Sequence, residues 1–239
     1  VFTNNSASYM GGGIYNEMNA SPVLTKITFS TNKASYMGGG MINFSASPIL
    51  VDCLFSSNSA SNGGGMSNYY SSPVLANCVF TSNTAQNNGG GIYNWESSPT
   101  LMNCNITSNS AANGGGIANI SNSSPTLTDC TFSGNMAATG GGLYNMHYST
   151  PALTNCVFTG NSAGNAGGIY NSISNPSLTH CTFSGNSAIA YGGGLLNYYS
   201  SPVIDNSSFT GNSAGQGGGV YNQNASSPVL TNCSFSGNS

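Results

Sequence analysis

Charge is what this 239-residue sequence most lacks: Asp, Glu, Lys and Arg together make up 3% of it, against about a quarter of an average soluble domain. Arg is absent, and Lys26 and Lys33 are the only lysines. No electrostatic footprint for nucleic acid is present, and no polybasic patch exists to hold an anionic membrane. The formal net charge of -3 is too small to steer a partner at long range. Long apolar runs are missing too. None approaches the roughly 18 residues of a transmembrane helix, so no membrane span is expected. No segment carries a 3.6-residue apolar period, which excludes helical solenoids.

What fills the sequence instead is Gly, Ser, Asn and Thr arranged in a repeat. Proline recurs at Pro22, Pro48, Pro73, Pro99, Pro125, Pro151, Pro176, Pro202 and Pro228. An aliphatic residue follows two positions later (Leu24, Leu50, Leu75 and onward to Leu230). Five positions after the proline comes Cys53, Cys78, Cys104, Cys130, Cys156, Cys181 or Cys233, with Ile27 and Ser207 as exceptions. Seven positions after it stands Phe, replaced by Ile106 in one unit. Cys and Phe, two apart, point to one face of a strand. A triple glycine then leads into a second strand, as in Gly89-Gly90-Gly91-Ile92-Tyr93-Asn94. Each unit therefore holds two or three short strands joined by turns, and a single unit cannot bury its own apolar face. Stacking in register at about 4.8 Å per coil builds a shared core. The chain is expected to be all-β, a right-handed parallel β-helix (β-solenoid) of about nine coils of 25–27 residues, right-handed by the usual chirality of parallel crossovers.

Two asparagine series follow the same period. One runs from Asn5 through Asn109 to Asn238, three residues after the Phe position; the other runs from Asn16 through Asn119 to Asn222 and closes the glycine-rich strand. Asn suits turn backbone and can stack into amide ladders, so both series read as structural. Length varies only between the Ala and the triple glycine, and between the second Asn and the Pro; these segments read as loops. Both ends fall in one phase of the repeat, Phe2-Thr3-Asn4-Asn5 and Phe235-Ser236-Gly237-Asn238, and neither resembles a capping unit. Residues 1–239 are expected to form one solenoid domain, a piece of a longer array.

Catalytic chemistry on such a rod needs carboxylates on one face. The acids are Glu17, Asp52, Glu96, Asp129 and Asp205. Asp52 and Asp129 share a phase but lie three coils apart, about 14 Å at strand spacing, and Asp205 stands one position earlier in its unit. His147 and His180 occupy different phases. The glycine runs lack the Gly-Lys-Ser/Thr of a phosphate loop and the Asp of calcium β-rolls. The cysteines read as one buried ladder of reduced thiols, with stacked disulfides between coils as the alternative, and a linear ladder cannot converge on an ion. No catalytic, cofactor-binding or metal-binding residue is assigned, and the chain is not expected to be an enzyme.

The signatures Phe132-Ser133-Gly134-Asn135 and Gly140-Gly141-Gly142-Leu143 are similar to repeats of the chlamydial polymorphic outer membrane proteins, and more broadly of bacterial right-handed β-helix surface proteins. In that family the third glycine is usually Ala. The resemblance implies a secreted passenger or surface domain, extracellular or on a bacterial cell surface, used in adhesion. An aromatic stripe beside the second Asn series is the candidate contact surface: Tyr15, Tyr93, Tyr144, Tyr170 and Tyr221 precede the Asn, and Phe44, Tyr69, Trp95 and Tyr198 follow it. Strand alternation turns the preceding residue outward; rings covering one another along the stack are the plainer reading. The expected function is a structural or adhesive rod (a fibre, filament or adhesin stalk) that self-associates end-on or laterally, or binds a host or surface ligand. A carbohydrate-binding or polysaccharide-degrading β-helix is the alternative. An ice-binding solenoid, resting on the Ser/Thr column beside the Phe (Ser30, Ser56, Thr81, Thr107), is a lesser one.

Overall fold

The computed structural model describes all 239 residues and contains no helix. Thirty-six short strands stack into four parallel sheets along one axis. Each of the first eight coils contributes four strands rather than two or three, and the ninth contributes three. In the fourth coil these are Val79–Thr81 (sheet A), Thr84–Asn88 (sheet B), Ile92–Trp95 (sheet C) and Thr100–Met102 (sheet D). Sheet A has ten strands, sheet B eight, and sheets C and D nine each.

Four sheets need four corners, and at each one a residue in the left-handed region turns the chain. In the fourth coil these residues are Ser82, Gly89, Glu96 and Asn103, with φ of 57°, 65°, 46° and 51°. The extra strands escape a periodicity reading because they are only two to five residues long, too short for alternation to register. Sheet B is where expectation and structure part most. In six coils the variable stretch between Ala and the triple glycine is no loop but strand, with β-bulges between Ala60 and Asn62 and between Ala163 and Asn165 absorbing its length changes; in the first, second and ninth coils it keeps only isolated bridges.

Like residues stack on like. Leu50, Leu75, Leu101 and Leu127 pair in sheet D. In sheet A the rings of Phe29, Phe55 and Phe80 stack at 4.5 and 4.6 Å, and after Ile106 the stack resumes at Phe132 and Phe158. These columns, with the cysteines and the first residue of each sheet C strand, form one continuous core. Each buried Phe or Leu contributes on the order of 1.5–3 kcal/mol. All seven cysteines are free, six of them buried. Each thiol donates to a carbonyl of the preceding coil, as from Cys78 Sγ to Leu50 O at 3.7 Å. The Cys130 and Cys78 sulfurs beside it, together with burial, raise the pKa of the Cys104 thiol far above its ordinary value, so it stays neutral.

Both Asn ladders point inward; the first follows the A–B corner and the second lies within the sheet C strands. Asn83 Nδ2 donates to Phe55 O (2.9 Å) and to Asn109 Oδ1 (3.0 Å), and its backbone N–H also donates to Asn109 Oδ1 (2.9 Å). In the second ladder Asn68 donates to Asn94 and Asn94 to Asn119, each at 2.8 Å. The buried amides are satisfied by one another, so polar side chains cost little in the interior. The third glycine of each triplet lies against this core: a Cβ on Gly65 would sit 2.6 Å from Gly91 O and 2.9 Å from Phe80 Cδ1.

Candidate interaction surface

Every recurring side chain so far serves the stack, which leaves the outer faces and corners for function. On the outer face of sheet C two columns stand side by side. The column before the Asn reads Tyr15, Ile42, Ser67, Tyr93, Ala118, Tyr144, Tyr170, Leu196 and Tyr221; the column after it reads Glu17, Phe44, Tyr69, Trp95, Ile120, Met146, Ser172, Tyr198 and Gln223. Outward does not mean exposed here. Tyr93 and Tyr144 retain 5% and 8% of their surface, packed with Met37, Ile42, Ala118 and Ile120 in a second apolar cluster outside the sheet. Phe44, Tyr69, Trp95, Tyr170, Tyr198 and Tyr221 are half-buried, and Tyr15 is exposed. Burial pushes the Tyr144 phenol, with help from Tyr170, up to about 12.

The stripe rings largely cover one another. Tyr69 lies between Phe44 (5.1 Å, 10° between planes) and Trp95 (6.0 Å, 8°), and Tyr144 stacks on Tyr170 at 5.2 Å. A ring sandwiched along the rod axis shows solvent its edge and not its face.

The corner between sheets C and D is different. Its left-handed residues are Met18, Ser45, Tyr70, Glu96, Ser121, His147, Ile173, Tyr199 and Asn224, and in four coils with a longer turn Asn19, Asn122, Tyr148 and Ala225 add a second. The other three corners carry mostly Gly, Asn, Asp, Ser or Thr at this conformation, residues that tolerate it or lose little by it. A bulky or β-branched residue there is strained by roughly 1–3 kcal/mol. Tyr70, Tyr148 and Tyr199 are 50%, 68% and 54% exposed. Sequence reading passed over them because they fall in no strand. The signal for Tyr70 and Tyr199 is the hexapeptide Asn-Tyr-Tyr-Ser-Ser-Pro, present at 68–73 and again at 197–202.

The five acids are not brought together: Asp52 and Asp129 sit at the D–A corner with His180, Glu96 at the C–D corner with His147, Glu17 at the end of a sheet C strand and Asp205 in sheet D. Instead, Asp52 and Asp129 each accept a hydrogen bond from the Asn of the next coil, Asn77 and Asn155, at 3.0 Å. No three His, Cys, Asp or Glu side chains converge as a metal site would need. On sheet A the hydroxyl column is unbroken from Thr3 to Ser236, while the column beside it is interrupted by Leu54, Val79, Asn105 and Val157.

Residues 1–110 and 96–197 match the right-handed beta helix region family, most of the chain. The chain belongs to the right-handed β-helix family. Residues 206–223, in the ninth coil, match the Chlamydia polymorphic membrane protein repeat, in line with the resemblance of the Phe-x-x-Asn and glycine motifs. No curated protein and no solved structure shows a significant match. β-Helix and polymorphic membrane protein repeats together suggest a structural role at a surface. No helix is long and apolar enough to cross a membrane.

Proposed function

We propose that this β-helix is a non-catalytic extracellular rod that adheres to surfaces, or to copies of itself, through the outer face of sheet C and the C–D corner. The observation that carries the reading is where irregularity is concentrated. The inward columns repeat with little change along the rod, and the other three corners depart from Gly, Asn, Asp, Ser or Thr only at Lys26, Ala166 and His180, whereas the C–D corner holds Met, Tyr, Glu, His and Ile in strained backbone. Selection for stacking alone would favour Gly or Asn there, as in the neighbouring corners. Location on a bacterial cell surface is supported by the polymorphic membrane protein repeat at 206–223.

Beads coated with the purified chain test this. They are expected to adhere to cell monolayers or polysaccharide-coated surfaces above albumin-coated beads, or the chain in solution to show concentration-dependent association by light scattering. A strict monomer whose beads adhere to nothing above the albumin control refutes the proposal. A polysaccharide-degrading β-helix would instead release reducing ends from acidic polysaccharide.

A further inference from the structure

Tyr69 is enclosed on both faces, so its T-shaped contact with Tyr70 (4.7 Å, 87°) must set its edge against the face of Tyr70. Phe44 meets Tyr70 at 6.5 Å and 83°, again edge to face. One face of Tyr70 is thus backed by the ring column, and with half its surface exposed the opposite face is open to solvent. The stacked rings lie across the rod axis, so a ring perpendicular to them lies flat along the rod. Tyr198 and Tyr199 meet at the same distance and a similar angle, 4.7 Å and 84°, five coils further on, about 24 Å at strand spacing; Tyr198 has Ser172 and Gln223 rather than rings as its sheet neighbours, and Tyr199 is 54% exposed.

We infer that Tyr70 and Tyr199 are platforms for the sugar rings of a neutral glycan laid along the C–D corner of the rod. A pyranose ring offers one face of C–H bonds to an aromatic face and a rim of hydroxyls to polar neighbours. The corner supplies both. Two residues past each platform stands an exposed or half-exposed serine, Ser72 or Ser201. Ser72 Oγ accepts the backbone N–H of Ser98, and Ser98 Oγ that of Ser124, each at 2.9 Å; their own protons remain to be donated. Charge along the corner is confined to Glu96, apart from His147, which disfavours a polyanion and offers no set of cations to bind one. Two platforms on one rigid rod bind a single chain with the gain of an intramolecular second contact. This inference rests on the adhesive reading and names its ligand class.

The test is affinity electrophoresis of the whole chain through gels containing neutral polysaccharides (xylan, glucomannan, mixed-linkage β-glucan, dextran), with polygalacturonate as the acidic control. The wild type is expected to be retarded by at least one neutral polymer. Tyr70→Asn with Tyr199→Asn places at both corners the residue this chain uses there in its ninth coil, Asn224 (φ 53°), so the fold persists. Retardation is expected to weaken several-fold for each single change and at least about ten-fold for the pair. Tyr70→Phe with Tyr199→Phe keeps the ring faces and retains the retardation. Absence of retardation in every neutral gel, retardation only by polygalacturonate, or equal retardation of wild type and the Asn pair overturns the inference. If beads coated with the Asn pair still adhere as wild type, the glycan platforms are refuted while the adhesive reading stands; if wild-type beads never adhere, the adhesive reading itself has failed.

Discussion

Ala166 shows how one side chain can work against the corner it occupies. It stands where the other coils place the first glycine of the triplet, at φ 59° and fully buried. An L residue in this region is disfavoured by about 1–2 kcal/mol, partly offset because glycine loses more freedom on folding. Ala166→Gly is therefore expected to raise stability by about 0.5–1 kcal/mol, read as a higher urea midpoint at unchanged slope. Asn109 is the opposite case. Its amide donates to Phe80 O and Asn135 Oδ1, while its Oδ1 accepts from the backbone and side chain of Asn83. Asn109→Ala strands several of these groups in the core, at about 1–3 kcal/mol each, and a total loss on the order of 3–5 kcal/mol is expected. Asn5 is exposed, and its side chain makes one bond, from Nδ2 to Asn32 Oδ1, while its backbone N–H, which Ala retains, donates to the same oxygen; Asn5→Ala is expected to cost under about 1 kcal/mol. Equal losses at the two sites would mean that the ladder contributes little beyond turn propensity.

At the scale of the element, sheet C separates what the sequence made legible from what it did not. Inward positions were legible because period-two alternation and vertical repetition agree: Ile92 and Asn94 face the core as their spacing predicts. The outward direction of Tyr93 and Tyr144 was legible for the same reason, but their burial was not. It depends on the neighbouring apolar cluster with Met37, which no local pattern encodes. Tyr70 and Tyr199 were invisible for a related reason, since a corner residue belongs to neither strand's alternation. The burial has a measurable consequence. An unfolded tyrosine titrates near 10.0 and folded Tyr144 at about 12, while Tyr93 is raised as well, by burial first and then Tyr36. The folded state thus holds these protons more tightly. The associated stability is present in full below pH 10 and is lost as pH rises through the folded value, at about 1.4 kcal/mol per pH unit for each group. Absorbance titration at alkaline pH is expected to show a late-ionising pair among the 13 tyrosines. Tyr144→Phe should flatten the fall in stability across the pH range from 10 to 12. A titration with all tyrosines ionising together near the free value would contradict the packing outside sheet C.

The whole molecule is a one-dimensional stack in which each coil is held by the coils before and after it, so stability is a sum of coil and interface contributions. Charge plays almost no part, and the columns of Leu, Cys, Phe and Asn bind every interior coil in nearly the same way. Protection should then depend on position along the rod more than on chemistry. The cysteines are a built-in gauge of this. Six thiols, Cys53 through Cys181, lie buried at one place in six successive coils, while Cys233 in the final coil is partly open and Ser207 separates it from the rest. An aromatic disulfide reagent needs an accessible thiolate. In the native protein one thiol in seven is expected to react promptly, with the other six reacting only as fast as coils open. Because opening next to an end breaks fewer interfaces, Cys181 should follow before Cys104 and Cys130, an order that mass spectrometry of the labelled peptides can read. In denaturant all seven should react as one class. Prompt reaction of several interior thiols in the native state would show that the coils open independently of their neighbours, and the rod would then lack the stiffness that an adhesive stalk requires.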